Sequence, residues 1–360
     1  MSNRFGRGAG GEVYSFDAIR GVQAKREFYI AMCPLKIIPK LFVFNDHELP
    51  PKMRAQRLLR RSRIPKIASY ILENPSDYVF SSLTASVDGE LSFAPDPSLG
   101  EGGKMGRLHI AMNSRMLIND GQHRRAAIEE ALKQKPEIGN ESISVVFFVD
   151  RGLKRSQQMF ADLNKHATKP SKSLGILYDH RSTYSQYVVD LINDVDIFRG
   201  RTEMEKVSLS NRTTKFFTLN GVSDATRQLL HITGRSIADS KRPVAIEYWN
   251  QVARNIPEWK LLVDKKIVAS EIRKEYVHAH TNTLNALGMV GYALMEEFPS
   301  AWKQRLKALQ RINWARDNPE WEGKLALNGR MLKNKAGFKR AADTILRKCG
   351  ATSKAHPVGR

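Results

Sequence analysis

Cysteine is scarce: the 360-residue chain has two, Cys33 and Cys349. They are far apart, fit no metal-site spacing, and are too few to hold an iron–sulfur cluster. No disulfide framework follows, which fits a reducing cytoplasm as the expected location. Cys33 ends the stretch Tyr29-Ile30-Ala31-Met32-Cys33, which reads as a strand holding a buried thiol. Long apolar runs are missing too. None approaches the roughly 18–20 residues that span a bilayer, so no membrane partner is expected. Residues 1–11 are Gly/Arg-rich, lack the apolar core of a signal peptide and read as a disordered tail. Acidic residues are also short, with 37 Asp/Glu against 58 Lys/Arg.

That imbalance leaves a formal net charge of +21. Such an excess points to a polyanionic partner, and nucleic acid is the usual one. The charge is not spread evenly. Residues 52–66 hold seven Lys/Arg and no acid. Residues 300–360 hold 15 Lys/Arg against 4 Asp/Glu, a net of +11. The expected DNA-contacting side chains are Arg54, Arg57, Arg60, Arg61, Arg63, Lys66 and Arg125, with Lys333, Lys335, Lys339 and Arg340 in the last segment. Such residues would meet phosphates and carry little sequence information. Trp302, Trp314 and Trp321 are interleaved there. At that spacing they read as core residues ahead of base-stacking ones.

Apolar residues make up 41%, enough for a sizeable core, and the length suits two domains. Residues 26–32 and 41–44 read as strands. Pro50-Pro51 opens one helix and Pro65 a second, with Ile64, Ile67, Ala68, Ile71 and Leu72 at helical spacing. Asp88-Gly89 between two β-prone runs predicts a hairpin. Residues 107–111, 115–118 and 143–149 read as strands, and 122–133 and 154–163 as helices. Beyond about residue 170 strand signals fade, and helices are predicted over 187–197, 222–230, 245–253, 278–298 and 302–314. The expected class is α+β: a mixed α/β domain over 12–180, a basic helical domain over 181–350, and a second tail over 351–360.

The sharpest local signal is Asn119-Asp120-Gly121-Gln122-His123-Arg124-Arg125. A strand ends, a turn follows and a helix opens. Gly121 permits a positive φ. A helix start offers amide N–H groups and the positive end of a dipole to an anion. Arg124 can add a planar fork, His123 can shuttle a proton, and Asp120 can cap the helix or hold a metal-bound water. The turn is therefore a candidate phosphate cradle, or simply an Asp-capped helix with solvent-facing arginines. Other constellations are weak. The loop 100–105 departs from the phosphate-loop pattern at Ser98 and Met105. Asp46-His47-Glu48 and His278-x-His280 lack completing metal ligands, and no metal site is expected.

Asp120-Gly121-Gln122-His123-Arg124 spells the motif of the DGQHR-domain family. The chain resembles its DNA sulfur modification branch, the DndB-like proteins, over residues 14–24, 54–57, 63–65, 84–90, 119–129, 144–165 and 174–181. This resemblance implies a distant similarity to the ParB/sulfiredoxin-like fold, in which a Gly-containing turn ending in Arg binds a nucleotide or phosphate. It carries a binding role onto Gly121, Gln122, His123 and Arg124, and implies that Gln56, Arg57 and Asn164 approach the same site. It further implies a DNA-binding regulator, expected to repress the modification operon, beside the enzymes that put sulfur into the DNA backbone. The partners would be double-stranded DNA and the other proteins of the system; homo-oligomerisation stays open. Two alternatives remain. One is a nucleotide hydrolase or DNA nickase using Asp120, His123 and Arg124, with ATP or another nucleotide and Mg2+ as cofactor. The other is an adaptor of the modification complex.

Overall fold

A computed structural model describes residues 7–8, 11–42, 61–99, 103–151, 155–165, 170–332, 334–352 and 354–356. The chain is mixed α+β and divides into two compact units, residues 1–168 and 169–360.

The strands of the main sheet are β1 (Arg7–Gly8), β2 (Gly11–Gln23), β3 (Arg26–Pro34), β4 (Leu83–Asp88), β5 (Leu91–Pro95), β6 (Met105–Ala111), β7 (Arg115–Asp120) and β8 (Ser142–Val149). They run in the order β5-β6-β2-β3-β8-β4-β7, with β1 paired to β2. Every pairing is antiparallel except β4 with β8. In β8 the period-two alternation buries Ile143, Val145 and Phe147, as a pleated strand with one core face requires. Among the described residues, this unit holds the helices α1 (Ile38–Leu41), α2 (Ile64–Glu73), α3 (Gln122–Gln134) and α4 (Ser156–Lys165). Ile38, Ile71, Ile128 and Ala131 join the inward strand residues in one core. Burying each of these isoleucines contributes about 1.5–3 kcal/mol.

The Asp88-Gly89 hairpin does not form. β4 pairs with β7 and β8, and β5 pairs with β6. The reason is burial: Leu83, Ala85, Ser86 and Val87 are all buried, so β4 takes an interior place, where a hairpin partner for β5 would sit at an edge. Only Gly89 and Glu90 lie between β4 and β5, and only Met112, Asn113 and Ser114 between β6 and β7. Links that short span about 10–14 Å at most, so the two ends of the sheet must curl toward one another at this rim. Ser114 Oγ, on one link, donates to the Glu90 carbonyl on the other at 3.2 Å.

Residues 41–42 are not a strand either. Pro39 opens the short helix α1, and Ile38 and Leu41, three apart, both turn into the core. Residues 43–60 lie outside the described structure, with the expected strand residues 43–44 and the first proline-led helix. The strand β2 was missed, and Arg7–Gly8, within the expected tail, pairs with Gly11 and Glu12.

The second unit is helical: α5 (Lys172–Leu177), α6 (Thr183–Asp194), α7 (Leu219–Leu230), α8 (Lys241–Asn255), α9 (Pro257–Val263), α10 (Ala269–Glu275), α11 (Thr281–Glu297), α12 (Trp302–Arg305) and α13 (Lys335–Lys348). α11 is buried nearly all round from Thr283 to Leu294, the mark of a central helix. A Cβ on Gly288 would stand 2.2 Å from the Ala225 carbonyl oxygen, so glycine is what lets α11 approach α7. The helix expected over 302–314 stops early: α12 ends at Arg305 and a tighter turn covers Leu306–Arg311. Trp314 and Trp321 are buried and stacked, with ring centroids 5.4 Å apart. Ala351 and Ala355, within the segment expected as a tail, are buried too, and Ala355 N donates to Asp343 at 2.7 Å.

Candidate functional site

The strand–turn–helix expected at the motif is present. β7 ends at Asp120, Gly121 takes φ 101°, and α3 begins at Gln122. Two constraints select glycine. The backbone is left-handed there, and a Cβ would stand 2.3 Å from Leu83 Cδ2. Gly121 is itself the N-cap residue and has no side chain to cap with. Asp120, expected to cap the helix, instead closes an ion pair with Arg124 Nη2 at 2.6 Å, one helical turn away.

Arg124 is held from several sides. Its Nη1 donates to the Ser82 carbonyl at 2.9 Å and to the carbonyl and hydroxyl of Ser81. The guanidinium thus pins the start of α3 to the segment leading into β4. Gln122 is buried, with its amide 3.4 Å from the Ile118 carbonyl. His123 is half-buried. Arg125, expected to meet DNA, is 7% exposed, pairs with Glu129 at 2.6 Å and donates to the Pro39 carbonyl at 3.1 Å. That guanidinium is committed to joining α3 to α1. In this arrangement it does not face solvent.

Behind the turn lies a polar network to which the sequence reading assigned no role. Asn119, fully buried, donates from Nδ2 to Ser86 Oγ at 2.7 Å and accepts from Ser156 Oγ at 2.5 Å. It joins β7 to β4 and to the first turn of α4. Asp150 accepts from the Arg155 amide at 3.1 Å, fixing the approach to the same helix. Asn119 was visible as part of the motif, but its partners lie 33 and 37 residues away, and no local spacing reports them.

Among the basic residues, Arg61, Arg63 and Lys66 are exposed at and before the start of α2. Lys335 and Arg340 are exposed on α13, and Lys339 is half-buried. Arg340 also donates to the Gly323 carbonyl. Arg54, Gln56, Arg57, Arg60 and Lys333 lie outside the described residues, as does the side chain of Asn164 in α4. Asp46-His47-Glu48 lies outside them too. His278 accepts from Trp259 Nε1 at 3.0 Å and faces Glu258 at 3.1 Å. Cys33 is buried, and burial pushes its thiol up to about 12, far from a reactive thiolate. Among the described residues, no group of three or more His, Cys, Asp or Glu is placed to hold a metal ion, and no helix is long and apolar enough to cross a membrane.

A family model described as DndB, DNA-sulfur modification-associated, matches residues 16–352. The chain belongs to the DndB family. Membership ties it to a DNA sulfur modification system. The match takes in most of both units. No curated protein and no solved structure matches the chain significantly.

Proposed function

We propose that this DndB-family chain is the DNA-binding accessory protein of its modification system and represses transcription of the modification operon. The observation that carries the reading is the basic surface at α2. Arg61, Arg63 and Lys66 are exposed within six residues of sequence that hold no acid, in a chain of net charge +21. Each phosphate such residues neutralise releases counterions, which makes affinity salt-dependent. The exposed Lys335 and Arg340 extend the same chemistry to the helical unit. Double-stranded DNA and the other proteins of the system are the partners this reading requires.

We read the first unit as ParB/sulfiredoxin-like, on the strength of the β7–Gly121–α3 turn. Turnover at that turn is the weaker reading. Phosphoryl transfer needs a cation aimed at the transferring group, and Arg124 is already engaged by Asp120, Ser81 and Ser82.

The test is binding to a labelled duplex from upstream of the protein's own operon, competed by random duplex, across a salt series. A preference above about tenfold, roughly 1.4 kcal/mol, with affinity falling steeply with salt, is the expected result. Equal binding to both duplexes removes the repressor reading, and a flat salt response removes DNA binding through phosphates.

A further inference from the structure

The helical unit holds a cavity of about 1090 Å³, roomy for the usual 300–1,000 Å³ range of ligand pockets. Its wall carries four cations, Lys172, Arg273, Lys274 and Arg316, against one acid, Glu271; Lys172 faces Asp224 at 4.0 Å and Lys274 faces Glu275 at 3.5 Å, exposed pairs that hold the lysines only weakly. The two arginines are held by carbonyls and a histidine. Arg273 donates to the carbonyls of Ser210, Asn211, Thr213 and Lys215, so its guanidinium shapes the wall. Arg316 donates from Nη2 to the Arg273 carbonyl and to His280 Nε2, the latter at 3.0 Å. His280 Nε2 also lies 3.0 Å from the Arg273 carbonyl, so this one nitrogen faces both a donor and an acceptor. Burial and the neighbouring Arg316 push His280 down to about 4, which keeps the imidazole neutral. One donor is left over: Arg316 Nε is buried with no hydrogen-bond partner.

A second feature points the same way. Thr281 and Asn282, the first residues of α11, line the cavity. The helix is 17 residues long, and its N-cap residue His280 provides no side-chain cap. The positive end of the dipole therefore faces the same space as the cations. The wall also has apolar members, Val207, Leu209, Met331 and Leu332. A ligand matching both parts has an anionic end and an uncharged flat or apolar end.

We propose that this cavity binds a small phosphate-bearing molecule of nucleotide size, its phosphates toward Arg316, the lysines and the start of α11. The site shares no residue with the motif turn or the basic segment at α2, and does not depend on the DNA-binding reading. No turnover is assigned to it.

The experiment is calorimetric titration of the full chain with ATP and ADP, each with and without Mg2+, and then with inorganic phosphate and adenosine as competitors. ATP or ADP is expected to bind, and phosphate to compete. Adenosine should bind at least about tenfold more weakly, roughly 1.4 kcal/mol. The double variant Lys172→Glu/Lys274→Glu should weaken binding by about tenfold or more with its melting temperature unchanged, since both side chains are largely exposed, 62% and 83%. Arg316→Gln should abolish binding, and Gly175→Ala, with nothing within 4 Å of the added Cβ, should bind as the parent does. The assignment is overturned by no binding at millimolar nucleotide, or by unchanged affinity in the double variant. Stoichiometric displacement of ATP by a duplex would make the occupant a DNA phosphate and also overturn the small-ligand assignment.

Discussion

Arg124 Nη2 stands 2.6 Å from Asp120 Oδ2, so the two charged residues of the motif neutralise each other across the turn. The pair is a clamp on the fold before it is anything else. Its carboxylate is 46% exposed and its guanidinium 15%, so the ion pair itself contributes little. The larger contribution comes from the charge-assisted bonds of Arg124 to Ser81 and Ser82.

Arg124→Ala should therefore lower stability by about 2 kcal/mol, seen as an earlier urea midpoint with an unchanged slope. If ATP turnover is measured on the same samples, wild type and variant should share one background rate. A variant with parental stability and lost turnover would reverse the assignment and make Arg124 catalytic.

Gly121→Ala should cost about 1–3 kcal/mol, because a left-handed backbone and a steric clash with Leu83 coincide. Gly175 is the control. It lies in α5 with nothing within 4 Å of an added Cβ, so Gly175→Ala should be neutral or stabilising by up to about 1 kcal/mol. Chemical denaturation of the two variants side by side checks this, and equal effects would show that the turn tolerates a side chain.

The two kinds of arginine should separate in DNA-binding assays. Arg61→Ala, Arg63→Ala and Lys66→Ala should each weaken binding about equally on all sequences, reducing the salt slope by about 1, at parental stability. Arg125→Ala should do the reverse, lowering stability while the folded fraction binds DNA normally. A drop in affinity for folded Arg125→Ala would put that residue back at the interface.

The pH dependence follows from His280. Its folded value, about 4, lies below the ordinary 6.5. The neutral form is favoured in the fold, so its contribution is fully present above about pH 6.5 and is lost as pH falls toward 4. His278, lowered by burial, contributes in the same direction, and so does the Glu258 carboxyl, on which burial acts upward but the bond to His278 prevails. Stability should thus decline from pH 6.5 to 4 with uptake of about one proton attributable to His280. His280→Asn should remove that proton from the slope. An identical slope in the variant would assign the decline to other groups.

Much was legible locally. The positive φ at Gly121, the start of α3 there and the start of α2 at Ile64-Pro65 depend on residues within one turn of each other, where glycine and proline act directly on the backbone. The tryptophan reading held for Trp314 and Trp321, because large rings gain on burial. The hairpin failed for the opposite reason. Asp88-Gly89 reverses the chain, but which strands then pair is settled by the burial of both faces of β4.

The sequence by itself determined the excess positive charge, the two compositional halves, the motif turn and the likeness to the DndB family. All of these are sums along the chain or patterns within a few residues. The tertiary structure decided the direction of Arg124, the burial of Arg125, the Asn119–Ser86–Ser156 network and the cavity joining Lys172, Arg273, His280 and Arg316. An arginine carries the same fork wherever it stands. Whether it meets a carbonyl, a carboxylate or solvent depends on contacts made across tens of residues, and only the packed fold fixes those.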